Sequence, residues 1–298
     1  MNRRKFIYNS SIASLSVLGL NSCNQLFRDV KITILHSNDV HSQIEPFPLN
    51  HNRFPGRGGF ARRANIFNEI RSVNPNTLIF DAGDIFQGTP YFNFFQGELE
   101  LKLMKEMGYN AATIGNHEFD AGLDTLKRNI LSTNFQFIIS NYDFVNTELE
   151  GLTTPYKIYK KEGVKIGVFG LGIELKGLVN PILYKETKYY DPIEISDEMV
   201  KILKDEKKCD LIICVSHLGH EYNSNKISDT KLAKLTSDID LIIGGHTHTF
   251  LKEPLITKNK INKNVIINQV GSGGVYLGRI DFNFTNSSKI DTNSLLEV

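Results

Sequence analysis

The chain has 298 residues, of which 41% are hydrophobic, and its 34 basic and 33 acidic residues leave a formal net charge of +1. That length permits one large domain or two small ones, and the composition is ordinary for a globular protein. The near balance of charge gives no support to nucleic-acid binding, so we expect none.

The N-terminus has the composition of an export signal. A basic segment containing Arg3 and Arg4 precedes the apolar run Ile12–Leu20, which is too short to span a bilayer. The two arginines resemble the twin-arginine export motif, and Leu20–Cys23 is similar to a bacterial lipobox with cleavage before the cysteine. We therefore predict export to the cell envelope or periplasm, with a lipid anchor to the membrane at Cys23.

After the signal, strand-like and helix-like patterns alternate, which is typical of a layered α/β fold. The predicted strands are Lys31–Leu35, Thr77–Phe80, Tyr109–Ile114, Phe137–Ser140, Tyr156–Tyr159, Lys165–Phe169, Leu211–Val215, Leu241–Ile243, Val265–Val270 and Val275–Phe284. The predicted helices are Gly59–Val73, Leu99–Met107, one that opens at Gly122, Ser196–Glu206 with Ser196 as N-cap, and Asp229–Leu235.

No internal repeat or composition break marks a linker, so the mature chain is predicted to be one domain. Cys209 and Cys214 flank the start of a strand and are predicted to be small core residues rather than a disulfide. The predicted divisions are a signal peptide (1–22), an anchor linker (23–29), the domain (30–284) and a loose tail (285–298).

Polar segments with metal-ligand chemistry follow five predicted strands. They are Asn38–His41, Asp81–Asp84, Gly115–His117, Ser216–Gly219 and Gly244–His248. Each segment alone is equally well explained as a turn or a helix cap. Because ligands bind beyond the carboxyl ends of strands, we expect the five together to form a site on one sheet edge.

Oxygen and imidazole ligands without thiolate favour Zn, Mn, Fe or Co over a structural cysteine-rich zinc site. Two such ions about 3.5–4 Å apart suit in-line attack on phosphorus. The pattern therefore points to a dinuclear site with phosphoryl-transfer chemistry.

Here the chain resembles the calcineurin-like dinuclear metallophosphoesterases. Longer segments narrow the resemblance to the secreted bacterial 5′-nucleotidase/UDP-sugar hydrolase branch, namely Ile34–His41, Gly58–Arg62, Asp81–Thr89 and His117–Asp120. The resemblance covers about residues 30–284. It implies an α/β fold, a four-layer α-β-β-α sandwich of two mixed sheets flanked by helices.

The resemblance also implies roles for individual residues. One divalent ion would be held by Asp39, His41, Asp84 and His248, and the other by Asp84, Asn116, His217 and His246, with Asp84 bridging. His117 would face the phosphate, and Asp120 would orient the imidazole of His117. His36, His51 and His220 have no role in the pattern and are expected to be structural or surface residues, and no substrate-binding residue is assigned.

We expect a metal-dependent phosphohydrolase that acts on nucleotides or other phosphomonoesters at the cell envelope. Full-length members of this branch continue into a second domain that selects the substrate, whereas this sequence stops at Val298. We therefore expect little discrimination by the chain alone and a separate partner chain homologous to that domain. Alternatives are a 2′,3′-cyclic-nucleotide phosphodiesterase, a thiosulfohydrolase of the same fold, and a non-catalytic lipid-anchored binding protein.

Overall fold

The structure, a computed structural model, describes residues 29–285 and 289–298. The predicted signal peptide, Cys23 and residues 24–28 of the predicted linker lie outside these ranges. Among the described residues, the helices are all too short or too polar to cross a membrane.

The strands of the described residues alternate with helices, as the sequence predicts. The strands are β1 (Val30–Ser37), β2 (Thr77–Asp81), β3 (Ala111–Ala112), β4 (Gln136–Phe137), β5 (Tyr142–Asp143), β6 (Tyr156–Lys161), β7 (Val164–Leu171), β8 (Lys188–Tyr189), β9 (Leu211–Ser216), β10 (Leu241–Ile243), β11 (Leu255–Lys258), β12 (Asn264–Asn268), β13 (Tyr276–Phe284) and β14 (Lys289–Glu297). The α-helices are α1 (Phe60–Val73), α2 (Pro90–Phe95), α3 (Glu98–Met107), α4 (Gly122–Ser132), α5 (Pro181–Tyr184), α6 (Pro192–Val200) and α7 (Asp229–Leu235), with a 3₁₀ turn at His117–Phe119 and a π-helical continuation of α6 at Lys201–Glu206.

Two large mixed sheets carry the architecture. The first has the order β14-β13-β1-β2-β3-β4. Strands β1 to β4 are parallel, β13 is antiparallel to β1, and β14 is antiparallel to β13. The second has the order β11-β12-β10-β9-β7-β6, with antiparallel strands only at its two edges. Strands β5 and β8 form a separate two-stranded ribbon.

The two sheets pack face to face, and side-chain alternation explains why. In β9, Leu211 and Ile213 point into the cluster between the sheets, while Ile212 and Cys214 point to the cluster beneath the outer helices. In β1, Ile34 joins the inter-sheet cluster and Leu35 joins the cluster under the helices of the first sheet. Each central strand is thus apolar on both faces, as expected of a strand covered on both sides. The expected four-layer α-β-β-α sandwich is confirmed.

His36 is a polar group buried between the two sheets. Its Nε2 accepts a hydrogen bond from Asn268 Nδ2 at 2.9 Å, which joins β1 of the first sheet to β12 of the second. The imidazole is fully buried and lies directly against Gly278, where an added Cβ would overlap it. Burial lowers the pKa of His36 to about 3, so the ring is neutral in the folded protein. The expectation that His36 is structural agrees with this position.

Four predicted elements differ from those of the structure. The expected tail contains β14, whose backbone pairs with β13 although its sequence lacks apolar alternation; an edge strand needs only one partner and no buried face. The helix predicted from Ser196 begins at Pro192, because Asp191 accepts hydrogen bonds from the N–H groups of Ile193 and Glu194. The predicted strand Tyr109–Ile114 is reduced to Ala111–Ala112, and the predicted strand Phe137–Ser140 to Gln136–Phe137.

Cys209 and Cys214 are buried and free, as predicted. Strands β6 and β7 pair as an antiparallel hairpin. Gly108 ends α3 in the left-handed conformation, with its N–H bonded to the carbonyls of Met104 and Lys105.

His36 should make stability depend on pH. Its pKa is lower when folded than when unfolded, so the unfolded chain binds the extra proton and stability is lost as pH falls from about 6.5 towards 3. For one such group the loss between pH 7 and 5 is about 2 kcal/mol. Urea unfolding of wild type and His36→Gln at both pH values should show a smaller loss in the variant. Equal losses would contradict the assignment.

Candidate metal centre

The predicted ligand residues lie in loops after five strands, but these strands belong to two sheets. The loops after β1, β2 and β3 come from the first sheet, and the loops after β9 and β10 come from the second. The prediction of one sheet edge is therefore wrong. The carboxyl ends of the parallel strands of both sheets meet at the same end of the sandwich, and the loops converge there.

One group of side chains joins Asp39, His41 and His248, whose ligand atoms all lie within 4.8 Å of one another. Nε2 of His41 is 2.9 Å from Nε2 of His248, and the latter is 3.4 Å from Asp39 Oδ1. His41 Nδ1 lies 3.2 Å from the carbonyl oxygen of Phe86, which leaves Nε2 as the nitrogen that faces the group. Two imidazole nitrogens and a carboxylate oxygen therefore converge on one point.

A second group joins Asp84, His217 and His246 in the same way. His217 Nε2 is 3.0 Å from Asp84 Oδ2, and His246 Nδ1 is 2.9 Å from Asn116 Oδ1. His217 Nδ1 donates to the carbonyl oxygen of Ala82 at 2.6 Å, which fixes the tautomer that leaves Nε2 with its lone pair. Asn116 thus adds an amide oxygen to this group.

Asp84 contacts both groups and carries their electrostatics. Its carboxylate forms a third cluster with His41 and His117, so it lies between the two sets of ligands. Burial would raise the pKa of Asp84, but the imidazoles around it, His217 first, hold that pKa well below its usual range. Burial would likewise lower the pKa of His217, and the adjacent carboxylate raises it instead. The Asp84 carboxylate thus favours a positive charge on its neighbours, and a bound cation would supply such a charge.

His117 and Asp120 form a separate pair at the edge of this arrangement. His117 Nδ1 lies 2.7 Å from Asp120 Oδ2, and the His117 side chain is one-third exposed. The hydrogen bond to Asp120 raises the pKa of His117. Because Nδ1 faces the carboxylate, Nε2 is the nitrogen left free to meet a ligand. The His117 ring is 5.3 Å from that of His41, so the pair lies beside the first group.

These side chains line one open cleft. It has a volume of about 470 Å³ and is lined by His41, Asp84, Gln87, Gly88, Asn116, His117, His246 and His248. Asp39 and His217 are fully buried beneath it. A small charged ligand would therefore reach the groups from solvent.

The backbone is strained where it presents these residues. Asp39, His41, Asp84, His246 and His248 all have φ between 50° and 73°, the left-handed region that non-glycine residues rarely adopt. Each such residue costs of order 1–3 kcal/mol and persists only where its surroundings hold it. The loops are thus bent to aim the side chains inward rather than to satisfy local preference.

Glu118 is the strongest of the supporting groups that the sequence analysis missed. Its carboxylate is fully buried and accepts the backbone N–H groups of Gly115 (2.6 Å), Ile85 (2.7 Å), Asp84 (2.9 Å) and Phe86 (3.3 Å). It therefore locks the loop after β2 to the loop after β3. Burial, together with the Asp84 charge, raises the pKa of Glu118 to about 7. Its place beside Asn116 and His117 in the sequence was the available signal.

Two buried amides hold the remaining loops. Asn38 Nδ2 donates to Asp39 Oδ2 at 2.6 Å and to the carbonyl oxygen of Gly271 at 2.7 Å, while its Oδ1 accepts from the N–H of Val270. Gln269 Oε1 accepts from Thr247 Oγ1, between the two histidines of the last loop. Local sequence spacing marks neither amide, because Asn38 is fixed by Val270 and Gly271 and Gln269 by Thr247, all of which are distant in the sequence.

The residues present fit two divalent cations. Nε2 of His217 is buried and makes no hydrogen bond of acceptable geometry to any described residue, although a carboxylate is beside it. Nε2 of His41 and Nε2 of His248 approach each other with lone pairs that would repel unless a proton or cation lies between them. Imidazole, carboxylate and amide donors without thiolate are those that Zn, Mn, Fe or Co accept.

Comparison with known proteins gives a consistent picture. A model of the calcineurin-like phosphoesterase family matches residues 32–250. The trifunctional nucleotide phosphoesterase protein YfkN of Bacillus subtilis (strain 168) is 31% identical over 295 residues, which cover 88% of this chain and 19% of that protein. The 5′-nucleotidase of Vibrio cholerae is 32% identical over 280 residues, 86% of this chain and 49% of the relative.

Similarity extends to three dimensions. The crystal structure of a 5′-nucleotidase precursor from Thermus thermophilus superimposes with a TM-score of 0.79 at 29% identity, covering 90% of this chain and 54% of the other. The chain therefore spans about half the length, or less, of the relatives that it matches.

Glu118→Gln tests the support of the site. The substitution places an NH₂ group where the backbone N–H donors need an acceptor, so we expect the free energy of unfolding to fall by about 2–3 kcal/mol. Affinity for Mn²⁺ should fall as well, because the Asp84 and Asn116 loops lose their common anchor. Chemical denaturation in chelator and calorimetric titration with Mn²⁺ measure the two effects. Exposed Glu98→Gln is the control, and equal behaviour of the two variants would contradict the role.

Proposed function

The chain belongs to the calcineurin-like phosphoesterase family, and on that premise we propose that it is a metal-dependent phosphohydrolase that releases phosphate from nucleotides. Its activity as a 5′-nucleotidase is supported by relatives of that name from Vibrio cholerae and Thermus thermophilus. Because the chain matches only part of each relative, substrate and partners are part of the proposal.

One observation supports this function above the others. Seven side chains with ligand chemistry converge from both sheets, and a hydrogen-bonded imidazole, His117, lies beside them in the same cleft. A structural metal site would be enclosed by its ligands, whereas this cleft is open to solvent on one side. The arrangement provides both a binding place for a phosphoryl group and a proton donor next to it.

We propose the following ligand sets. One ion is held by Asp39, His41, Asp84 and His248, and the other by Asp84, Asn116, His217 and His246. When bound, two divalent ions supply Lewis-acid polarisation of a phosphoryl group and lower the pKa of water next to it. Elemental analysis of the purified protein distinguishes Zn, Mn, Fe and Co at these sites.

The chain's own residues then position and move protons. Asp120 holds Nδ1 of His117 at 2.7 Å, so Nε2 is the nitrogen that can donate to the oxygen of a leaving alcohol. The raised pKa of His117 favours the protonated ring that such a donor needs. Glu118 keeps Asp84 and Asn116 in register, and Asn38 orients Asp39.

The proposed substrate is a nucleotide, and it can be distinguished from the substrates of related enzymes. A panel of AMP, 2′,3′-cyclic AMP, a thiosulfate ester and p-nitrophenyl phosphate separates a 5′-nucleotidase from the alternative enzymes. We also propose that a separate chain resembling the unmatched half of the relatives docks over the cleft. Its addition should raise kcat/KM for AMP more than for a simple phosphomonoester.

Location is proposed from the sequence of residues 1–23, which lie outside the described residues. A basic start, a short apolar run and a lipobox-like Leu20–Cys23 support export, cleavage before Cys23 and a lipid anchor in the cell envelope.

His117→Ala should keep its metals and lose rate. A positioned proton donor contributes about 10²–10⁴-fold, so kcat with AMP should fall by that factor. Asp84→Asn is the matched contrast, since it removes charge shared by both proposed ions and should lower metal content together with turnover. Elemental analysis and steady-state kinetics are measured on both. Loss of metal in His117→Ala would make His117 a ligand, and a rate loss below about tenfold would remove it from the mechanism.

Cys23→Ser should release the protein from the membrane fraction. A single acyl chain binds a bilayer only marginally, whereas the multiply acylated anchor of a bacterial lipoprotein holds stably. Detergent partitioning of full-length wild type and variant expressed in a bacterial host measures the difference. Equal partitioning would contradict the lipobox interpretation and leave the catalytic proposal untouched.

A further inference from the structure

Five aromatic side chains form a continuous surface feature beside the candidate metal centre. We call them the aromatic strip: Phe47, His51, Phe54, Phe250 and Tyr276. The ring centroids of Phe250 and Tyr276 are 4.5 Å apart with an interplanar angle of 31°. None of these residues belongs to the ligand pattern predicted from the sequence.

The strip is continuous from one end to the other. Phe54 meets Tyr276 edge-on at 6.5 Å, and Phe47 packs against Phe54 at 5.8 Å and against His51 at 4.5 Å. These separations are in the range in which aromatic pairs attract each other. The rings therefore support one another as a rigid platform rather than as separate exposed side chains.

A glycine loop ties the strip to the metal ligands. The N–H of Gly273 donates to the carbonyl oxygen of Asp39 at 2.8 Å, and a Cβ on Gly273 would lie only 2.8 Å from Cζ of Phe47. The carbonyl of Gly271 accepts from Asn38, and a Cβ added to Gly271 would lie 3.8 Å from Cβ of Phe250. One layer of backbone thus separates the rings from the Asp39 loop.

Phe250, at one end of the aromatic strip, is also close to a metal ligand along the chain. Phe250 follows His248 by two residues, a span of at most about 7 Å between Cα atoms. The strip is therefore adjacent to the group of Asp39, His41 and His248.

Phe250 keeps a large free surface. It is 45% exposed even though Tyr276 stacks on it. Tyr276 is fixed in turn, because its hydroxyl accepts a hydrogen bond from Arg57 Nη1 at 3.2 Å, and Arg57 is held by an ion pair with Glu297. The guanidinium carbon of Arg53 lies 5.2 Å from the Phe54 centroid. A platform with pre-oriented rings and flat cationic groups suits a planar heteroaromatic ligand.

We propose that the aromatic strip is the base-binding subsite of this chain, with Phe250 stacking on the nucleobase of a nucleotide whose phosphate lies in the metal cleft. The inference rests on the proposed function for the identity of the ligand. It names the chemical class that the chain recognises by itself, a planar nucleobase, and the residue that contacts it. Where the sequence alone suggested little discrimination, the strip gives a measurable preference for nucleotides over ring-free phosphomonoesters.

Stacking accounts for such a preference without hydrogen-bonding groups. Stacking of a base on an aromatic side chain strengthens binding about 5- to 150-fold, and the contact tolerates any base because every base has a π-face. The strip should therefore favour AMP and GMP alike. A surface that contacts only protein is the competing explanation of the exposed rings of the strip. Binding of a free nucleoside by the single chain distinguishes the two explanations, whether or not a partner chain docks over the neighbouring cleft.

The first measurement is kinetic. With Mn²⁺-loaded full-length protein, kcat/KM is compared for AMP and for glycerol 3-phosphate, which carries a phosphate and no ring. Phe250→Ala should lower the value for AMP about tenfold and change that for glycerol 3-phosphate by less than about twofold. Phe250→Tyr retains a ring and should retain the preference. Tyr190→Ala is the control, because Tyr190 has the same 45% exposure and bonds to Asp143 beside the small ribbon.

The second measurement does not depend on activity. Saturation-transfer difference NMR of adenosine with metal-free protein should show adenine proton signals for wild type, Phe250→Tyr and Tyr190→Ala, and much weaker signals for Phe250→Ala. Adenosine lacks phosphate, so a signal reports the base contact alone.

The outcomes separate the two proposals. If wild type hydrolyses neither phosphomonoester, the proposed function fails, and the NMR comparison still decides the subsite. If Phe250→Ala lowers kcat/KM equally for AMP and glycerol 3-phosphate, the proposed subsite is overturned. An adenosine signal as strong as that of wild type would also overturn it. Absence of an adenosine signal in wild type also overturns it and leaves a protein-contact surface as the explanation.

Discussion

Four backbone N–H groups point at the buried carboxylate of Glu118, and the candidate metal centre depends on that convergence. The N–H of His117 donates to Asp84 Oδ1 at 2.9 Å, and the carboxylate of Glu118 joins the loop after β2 to the loop after β3 through backbone groups of both. A single acceptor that both loops share sets the separation of Asp84 from Asn116. A buried carboxylate is costly unless its lone pairs are occupied, and here the donors occupy them. The cost of burial is therefore offset by the same contacts that order the site.

The strained conformations in the ligand loops follow from this design. Left-handed residues such as Asp39 and His246 would relax if their neighbours allowed it. His246 is held because its N–H donates to Asp39 Oδ1 at 2.9 Å, and Asp39 is held by Asn38 and by the N–H of Gly273. Ligand and support are thus the same residues in different pairings. The supports are buried, as are the ligands Asp39 and His217, while His41, His246 and His248 line the open cleft.

Much of the fold and of the site could be predicted from sequence, and the reasons for the failures are physical. The ligand segments were found because Asp39-x-His41, Gly115–His117 and His246-x-His248 are local patterns after apolar runs. Glu118 was passed over as part of a motif, since its function lies in backbone contacts that spacing does not reveal. Asn38 and Gln269 could not be identified because they bond to residues that are distant in the sequence and close only in the folded structure.

The element errors have the same origin. Strand β14 is stabilised by the backbone of β13 rather than by its own apolar residues, so hydrophobic patterning could not identify it. The prediction of a single sheet edge failed because a parallel strand looks the same whichever sheet it joins. Two faces of buried residues in β1 and β9 showed only that both strands are covered on each side.

The distribution of ligands over two sheets has a consequence for how the molecule matures. His41 and His248 meet at 2.9 Å although 207 positions separate them in the chain, and His246 and Asn116 are 130 positions apart. Neither sheet alone brings these pairs together, so high-affinity metal uptake requires that the sandwich has already closed. Such long-range contacts form late, since the entropy of loop closure is lost before they contribute. Ion binding then acts by mass action on the closed state alone. Metal binding would therefore stabilise the completed sandwich and none of the partly folded states that precede it.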